Sequence, residues 1–560
     1  MSPTARRTLA GLGGAAAMIA AVTVLSRVLG FGRYLVQAHA FDDGSIGGVY
    51  NAANTLPNVL FEVAAGGALA GALIPVLALP VSRALRKDVD AITSATFGWT
   101  LLVLVPLGAG LAAASGLIAS VWPNLDDAER GLLQYFIAIF AVQVPMYGIA
   151  VLLYAVLQAH KRFFWPAFAP VLSSVVVIAT YLVYAALAGG EVDDPAAVTD
   201  TALAVLGWGT TLGVAAMCFP MFIPVHRLGV RIRPTLRFPP GGVGRRLAVL
   251  AFAGVGSLVA QQLSVLVALL VAGARGSAGT WSVYLWSQQV YLLPYAVLVV
   301  PLATSTFPRL AQRAASGEHE AFARMASGTL RAVLAAAALG AAVLVAIAPA
   351  VTDIFDWIAD GGSALGAMTT TITWLAPGLL GFALMFHASR ALYALERGRS
   401  AIAANVVGWG TVAVAAPVLA AVLAPAGDDP AATLLALAQA SSLGMLTGGA
   451  LAVILLRRAA GRPATAGLVR AAVVLVAGAA VGALAGRWVV DAVAEVAGHG
   501  PVTAAGAAAG GAVIAAFVVA GAVLAGDRGT VRDFRAIEAQ PRPPAAVAVT
   551  DPANPGAPLV

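Results

Sequence analysis

The chain has 560 residues, 60% of them hydrophobic and only 11% charged, and its mean hydropathy is +0.89. A soluble domain carries about 25% charged residues, so an ordinary soluble protein is excluded and an integral membrane protein remains. The formal net charge of +7 need not mean nucleic acid, and the lone Cys218 excludes an intrachain disulfide and reads as a small apolar packing residue.

At about 20 residues per span, this length holds a dozen or more membrane helices. Fourteen apolar segments follow one another, at approximately 13–40, 46–80, 92–121, 131–158, 166–189, 201–226, 246–273, 281–308, 326–350, 369–395, 401–424, 431–456, 466–490 and 500–525. No cleavable signal is evident, because Arg6 and Arg7 precede a long apolar run that continues into a charged motif.

That motif, Ser26-Arg27-Val28-Leu29-Gly30-Phe31-Gly32-Arg33, sets two arginines inside the first segment. A charge at bilayer depth is costly, so it normally faces a water-filled cavity and marks a pathway. Pairing with a buried acid for packing is the plainer alternative, but two cations meet few intramembrane acids. Glu62, about midway along the second segment, is the one acid opposite them in depth, and it leaves a cationic surplus. An arginine fork matches phosphate oxygens and keeps its charge in any surroundings. The cavity therefore suits an anionic head group, above all a phosphate or pyrophosphate. Arg27 and Arg33 are about 120° apart round an ideal helix, and Gly30 and Gly32 between them permit a bend that aims both inward.

The second segment is interrupted by Pro57, Gly66-Gly67 and Pro75, and the eighth by Pro294 and Pro301. Such breaks are tolerated where protein or a cavity satisfies the freed backbone groups. Asn51, Asn54 and Asn58 recur near one face of the second segment, suited to hydrogen bonding between helices or to ligand contact. Gln288, Gln289 and Tyr291 occupy the corresponding part of the eighth and are candidates for the opposite wall, with Gln261-Gln262 in the seventh a weaker one. His387 and Arg390, near the end of the tenth segment, are expected to snorkel towards the surface. His39 is expected to be solvated. Beyond Gly526 the polar, Pro-rich sequence reads as a disordered tail.

The loops alternate in charge. Those after even-numbered segments, together with both termini and Arg331, hold 27 of the 33 Lys and Arg. Those after odd-numbered segments carry acids such as Asp42, Asp43, Asp126, Asp127, Glu191, Asp193, Asp194, Asp353, Asp356, Asp428 and Asp429. By the positive-inside rule the basic side and both termini are cytoplasmic. A weak repeat is also present: Leu56-Pro57 answers Leu293-Pro294, Ile74-Pro75 answers Phe307-Pro308, and Leu157-Gln158 answers Leu395-Glu396. The offsets are about 235 residues, six segments plus the linker. Six is even, so the halves are expected to be parallel repeats with a site between them near mid-membrane.

The expected architecture is all-α. It has about 14 transmembrane helices in two six-helix bundles: a first lobe over 1–226, a basic cytoplasmic linker over 227–245 and a second lobe over 246–456. Two extra helices follow over 457–525, and the tail over 526–560. No HExxH, Walker A loop, Cys/His metal spacing or nucleophile with its base is present, so an enzyme, a metal and a cofactor are not expected. Uphill transport would then draw on the membrane potential or an ion gradient.

The first-segment motif resembles that of the MurJ (MviN) lipid II flippases of the MOP exporter superfamily. Thr55-Leu56-Pro57-Asn58-Val59-Leu60, running on to Gly67-Ala68 and Ile74-Pro75-Val76-Leu77, is similar to their second helix. Arg162-Phe163 with Trp165-Pro166-Ala167-Phe168-Ala169-Pro170-Val171-Leu172 resembles their fifth. The resemblance extends thinly to about residue 456. It implies a V-shaped central cavity, two extra helices forming a lipid-facing groove, and alternating access. The substrate it implies is an undecaprenyl-pyrophosphate-linked peptidoglycan precursor, carried outward across the cytoplasmic membrane. Arg27 and Arg33 match the family's two first-helix arginines. The chain departs where many members have basic residues after the Pro-Asn, having Phe61 and Glu62, and where a helix-eight arginine becomes Gln288 or Gln289.

The expected binding set is Arg27, Arg33, Glu62, Asn54, Asn58, Gln288 and Gln289, with Glu62 balancing charge. The expected partners are an anionic polyprenyl-pyrophosphate lipid, membrane lipids and cell-wall synthesis proteins. The alternatives are a flippase for another polyprenyl-linked glycan, a MATE-like exporter, and a non-transporting scaffold for wall synthesis.

Overall fold

The computed structural model describes residues 3–41, 44–64, 66–191, 193–252, 255–277, 279–359, 364–526 and 529. Asp42, Asp43 and the tail expected beyond Gly526, Gly529 aside, lie outside the described residues. Every regular element among the described residues is helical. Helices satisfy their own backbone polar groups, which lipid cannot do for them.

In chain order the helices are α1 (Pro3–Phe41), α2 (Ser45–Ala64), α3 (Gly66–Ser82), α4 (Arg86–Ser120), α5 (Asp127–Ala159), α6 (Phe164–Ala188), α7 (Asp200–Arg227) and α8 (Val243–Phe252). They continue as α9 (Val255–Arg275), α10 (Thr280–Ala315), α11 (His319–Ala359), α12 (Leu365–Ala394), α13 (Gly398–Leu423), α14 (Pro430–Ala460), α15 (Arg462–Ala497) and α16 (Pro501–Gly526). Among the described residues, twelve of these are long and apolar enough to cross a membrane. The first and second expected segments fall in α1 and in the consecutive α2 and α3. The protein is a multi-pass membrane protein.

Helix starts at the acidic end are fixed by short polar side chains. Asp126 accepts from the Glu129 N–H at 2.8 Å while Glu129 reaches back to the Asp126 N–H at 3.0 Å, which closes a capping box. Thr199 caps α7, and Asp429 caps α14 with Pro430 in its first turn. Acids of the odd loops thus serve the first turns of helices, where negative charge is favoured.

The helices pack in two groups. In the first, α1 lies on α6, α6 on α7, and α2, α3 and α4 on α5; in the second, α12 and α13 lie on α14, α9 on α13, and α11 on α12. The last two helices, α15 and α16, pack on each other and on α11. Small residues set these distances. A Cβ at Gly381 of α12 would come within 2.3 Å of the Met445 carbonyl oxygen, and one at Gly449 within 2.4 Å of the Gly381 oxygen. Backbones this close give the van der Waals contact that holds helices together in lipid.

The two groups meet at the acidic end, where α1 touches α11 and α2 touches α9 and α10. Phe355 lies between Phe31 and Trp286, at ring-centroid distances of 6.5 and 5.7 Å, and His39, exposed as expected, hydrogen bonds the Ile358 carbonyl at 3.2 Å.

Candidate functional site

Between the groups lies a cavity of about 480 Å³, bounded by α1, α6, α7 and α10. The first group supplies its polar wall: Arg27, Arg33, Ser26 and Tyr34 from α1, and Ser173 and Ser174 from α6. The second group contributes Gln289 and otherwise apolar side chains, Leu292, Leu293 and Ala296. No acid is among the lining residues. The cavity runs from Arg33 towards Thr23, Met217 and Ala296, which lie on the side of the basic loops.

The arrangement follows from the helices. Six residues separate the two arginines, and the cavity spans enough of α1 to receive both despite their angular offset. Arg33 Nη2 donates to the Tyr34 hydroxyl at 3.3 Å, and its guanidinium carbon stands 5.1 Å from that ring's centroid. Neither arginine has an ion pair among the described residues. Ser26, Ser173 and Ser174 make no hydrogen bond there either, so their hydroxyls are available to a ligand. A helix carrying Pro170 loses one i→i−4 bond, and both Pro166 and Pro170 lie on the wall.

The cavity ends one turn beyond Arg33, at a dry polar cluster. Gln37 is 3% exposed; its amide donates to Asn51 Oδ1 at 3.0 Å and to the Tyr181 hydroxyl at 3.2 Å, and accepts from Trp286 Nε1 at 3.0 Å. Asn51 Nδ2 donates to Ser282 Oγ at 2.8 Å, and Trp281 Nε1 donates to Thr55 Oγ1 at 3.1 Å. The Trp286, Ser282 and Trp281 bonds join the two helix groups. Tyr50, between the hydroxyls of Tyr181 and Thr210 at 3.0 and 2.9 Å, anchors the cluster in the first group.

Of the seven residues expected to bind, the cavity brings together Arg27, Arg33 and Gln289. Gln288 is half-buried on α10 and is not among the lining residues. Asn58 donates to the Asn54 carbonyl at 2.8 Å, and Asn54 Oδ1 is buried without a partner among the described residues. Glu62 is half-buried on α2, away from this wall. Asn51 bonds between helices, and Cys218 is buried as a packing residue. The snorkelling expected of His387 is corrected. It is 0% exposed and hydrogen bonds Thr329 of α11 at 2.8 Å, because α11 covers this face of α12. Arg390 is half-buried with its guanidinium over the Phe386 ring, 4.2 Å from the centroid. The reading missed the α6 serines, for which the Pro166 and Pro170 pair was the available signal, and it missed Gln37 and Trp286.

A family model described as lipid II flippase MurJ matches residues 37–497. The chain belongs to the MurJ lipid II flippase family. Arg27 and Arg33 lie just ahead of the matched region. The chain is 28% identical over 355 residues to the probable lipid II flippase MurJ of Rhizobium meliloti (strain 1021), covering 61% of this chain and 62% of that protein. It is 27% identical over 393 residues to lipid II flippase MurJ of Burkholderia cenocepacia, covering 68% and 72%. Thus the alignment to the first of these MurJ relatives spans less than two thirds of its length.

A solved structure of lipid II flippase MurJ in an inward closed conformation superposes with a TM-score of 0.67 at 15% identity, covering 89% of this chain and 97% of that one. An inward-facing multidrug resistance MATE transporter of the MOP superfamily superposes at 0.61 with 12% identity, covering 79% and 97%. The fold is therefore shared with a multidrug resistance transporter as well as with MurJ.

Proposed function

We propose that this protein is a flippase carrying a lipid-linked, anionic cell-wall precursor, lipid II, from the inner to the outer leaflet of the cytoplasmic membrane. It would act by alternating access, with the two helix groups as lobes. The observation that carries this reading is a cavity holding two guanidiniums and no carboxylate. A pyrophosphate diester brings two negative charges to two positive ones, and serine hydroxyls are at hand for its remaining oxygens. The apolar wall of α10 suits the polyprenyl chain leaving the cavity. An organic cation, the cargo of a multidrug exporter, would be repelled by the same wall, so the MATE-like alternative loses on charge. By the positive-inside rule the basic end faces the cytoplasm, and the cavity then opens to the leaflet where the precursor is made.

The test is a leaflet-accessibility assay on purified protein in vesicles. Arg27→Ala and Arg33→Ala, inserted at normal levels, are each expected to lose most lipid II translocation. Truncating one partner of a charge-assisted hydrogen bond costs about 1.5–3 kcal/mol, a 10- to 150-fold loss of binding. Full translocation by both variants would refute the assignment.

A further inference from the structure

The basic segment after α7 has a structure the transport reading does not use. Residues 228–252 contain five arginines and no acid. Their first part runs as an extended strap up the side of α4. Asp90 Oδ1 accepts from the Arg231 N–H at 2.9 Å, Ser94 Oγ accepts from the Arg233 N–H at 3.0 Å, and the Ser94 carbonyl accepts from the Thr235 N–H at 3.3 Å. Trp99 Nε1 donates to the Leu236 carbonyl at 3.1 Å. The match is geometric. Two extended residues advance about 6.6 Å and four helical residues about 6 Å, so alternate strap residues meet every fourth position of α4. The third such position is Gly98, where a Cβ would lie 2.2 Å from the Thr235 carbonyl oxygen. Only glycine lets the strap close on the helix there.

Because the backbone does the holding, the side chains are left over. Arg231, Arg233 and Arg237 are exposed, as are Arg245 and Arg246 on α8, and none has a hydrogen bond or ion pair through its guanidinium among the described residues. Asp90 on α4 accepts the Arg231 backbone N–H and pairs with no guanidinium among the described residues. Beside them, Trp99 is 44% and Leu236 49% exposed, and Val249 and Leu250 of α8 are exposed too. Guanidiniums in a row next to uncovered apolar side chains and an exposed tryptophan fit a surface half in water and half in hydrocarbon.

We infer that the strap and α8 form a docking belt for anionic phospholipid head groups, clamping a ring of phosphatidylglycerol-type lipid against α4 and α3. α8 packs on α3, so the belt spans the side of the first lobe. The leaflet rests on the orientation proposed above; the binding itself does not.

Native mass spectrometry of the full chain, in detergent micelles doped with phosphatidylglycerol or phosphatidylcholine, tests it. The triple variant Arg231→Gln/Arg233→Gln/Arg237→Gln is expected to lose phosphatidylglycerol affinity about a hundredfold, at about fivefold per basic residue, with phosphatidylcholine unchanged. Gly98→Leu, which keeps all five arginines but lifts the strap, is expected to lose at least tenfold. Arg27→Ala/Arg33→Ala is expected to retain the lipid. Wild-type retention by the triple variant, equal loss of both lipids, or loss only in the cavity variant would each overturn the belt. A cysteine placed at Arg233 and labelled from outside intact cells would overturn the orientation alone and leave the micelle result standing.

Discussion

Replacing Gln37 by leucine probes the closure at the acidic end. The amide of Gln37 serves Asn51, Tyr181 and Trp286 at 3.0, 3.2 and 3.0 Å, and only the last of these belongs to the other helix group. Leucine leaves the Trp286 N–H, on a side chain 0% exposed, buried without an acceptor. An unsatisfied buried donor costs about 1–3 kcal/mol. The cost applies while the groups are together and vanishes once they part and water reaches the indole. Gln37→Leu therefore raises the open-to-closed ratio by about 5- to 150-fold. Spin labels on cysteines at Asp127 and Asp356, exposed positions on α5 and α11, read the separation at the acidic end by pulsed electron resonance; buried Cys218 does not react. The variant is expected to gain a long-distance population that wild type lacks. Trp286→Phe, which removes the donor instead of the acceptor, is expected to shift the distribution less, because it strands only one lone pair of an oxygen. Distances identical to wild type in both variants would show that the cluster does not hold the groups together.

Three further outcomes are expected. Ser173→Ala/Ser174→Ala should weaken lipid II binding by a few-fold to about tenfold, one neutral hydrogen bond being worth about 1 kcal/mol, and should leave thermal stability unchanged; binding measured by native mass spectrometry checks it. Gly381→Val forces a side chain into the Met445 backbone and should cost about 1–3 kcal/mol, seen as a lower unfolding temperature of the purified protein. Since Cys218 is buried, a cysteine introduced at Arg397 should be labelled only from the cytoplasm and one at Asp126 only from outside; the reverse pattern would invert the topology.

Helix positions were legible because lipid allows so few solutions: the apolar stretches had to be helices, and the acids between them reappear as N-caps at Asp126 and Asp429. Position along a helix was legible too, since counting residues from a loop measures it. Azimuth was not. Glu62, Asn54 and Asn58 lie on the expected helix but do not line the cavity, because each residue turns the helix by about 100° and packing decides which face looks inward. His387 shows the same limit, because nothing near it in sequence reports that Thr329 of α11 covers it. Gln37 and Trp286 left no periodic signal, as one polar group among apolar neighbours becomes informative only when its partner, some 250 positions away, is known.

The helix that faces the arginines carries a widened π turn at Tyr295–Val299, directly after Pro294. Such a turn holds one surplus residue, which advances everything after it by about 100° of azimuth. Ahead of it, Trp281, Ser282 and Trp286 are keyed to the neighbouring lobe; behind it, Ala303, Thr306 and Leu310 are buried. The surplus residue works as a phase shifter, letting one continuous rod satisfy two unrelated sets of neighbours. Deleting a single residue there would straighten the ladder and swing Leu310 off its seat, so this stretch should tolerate substitution far better than a change of length.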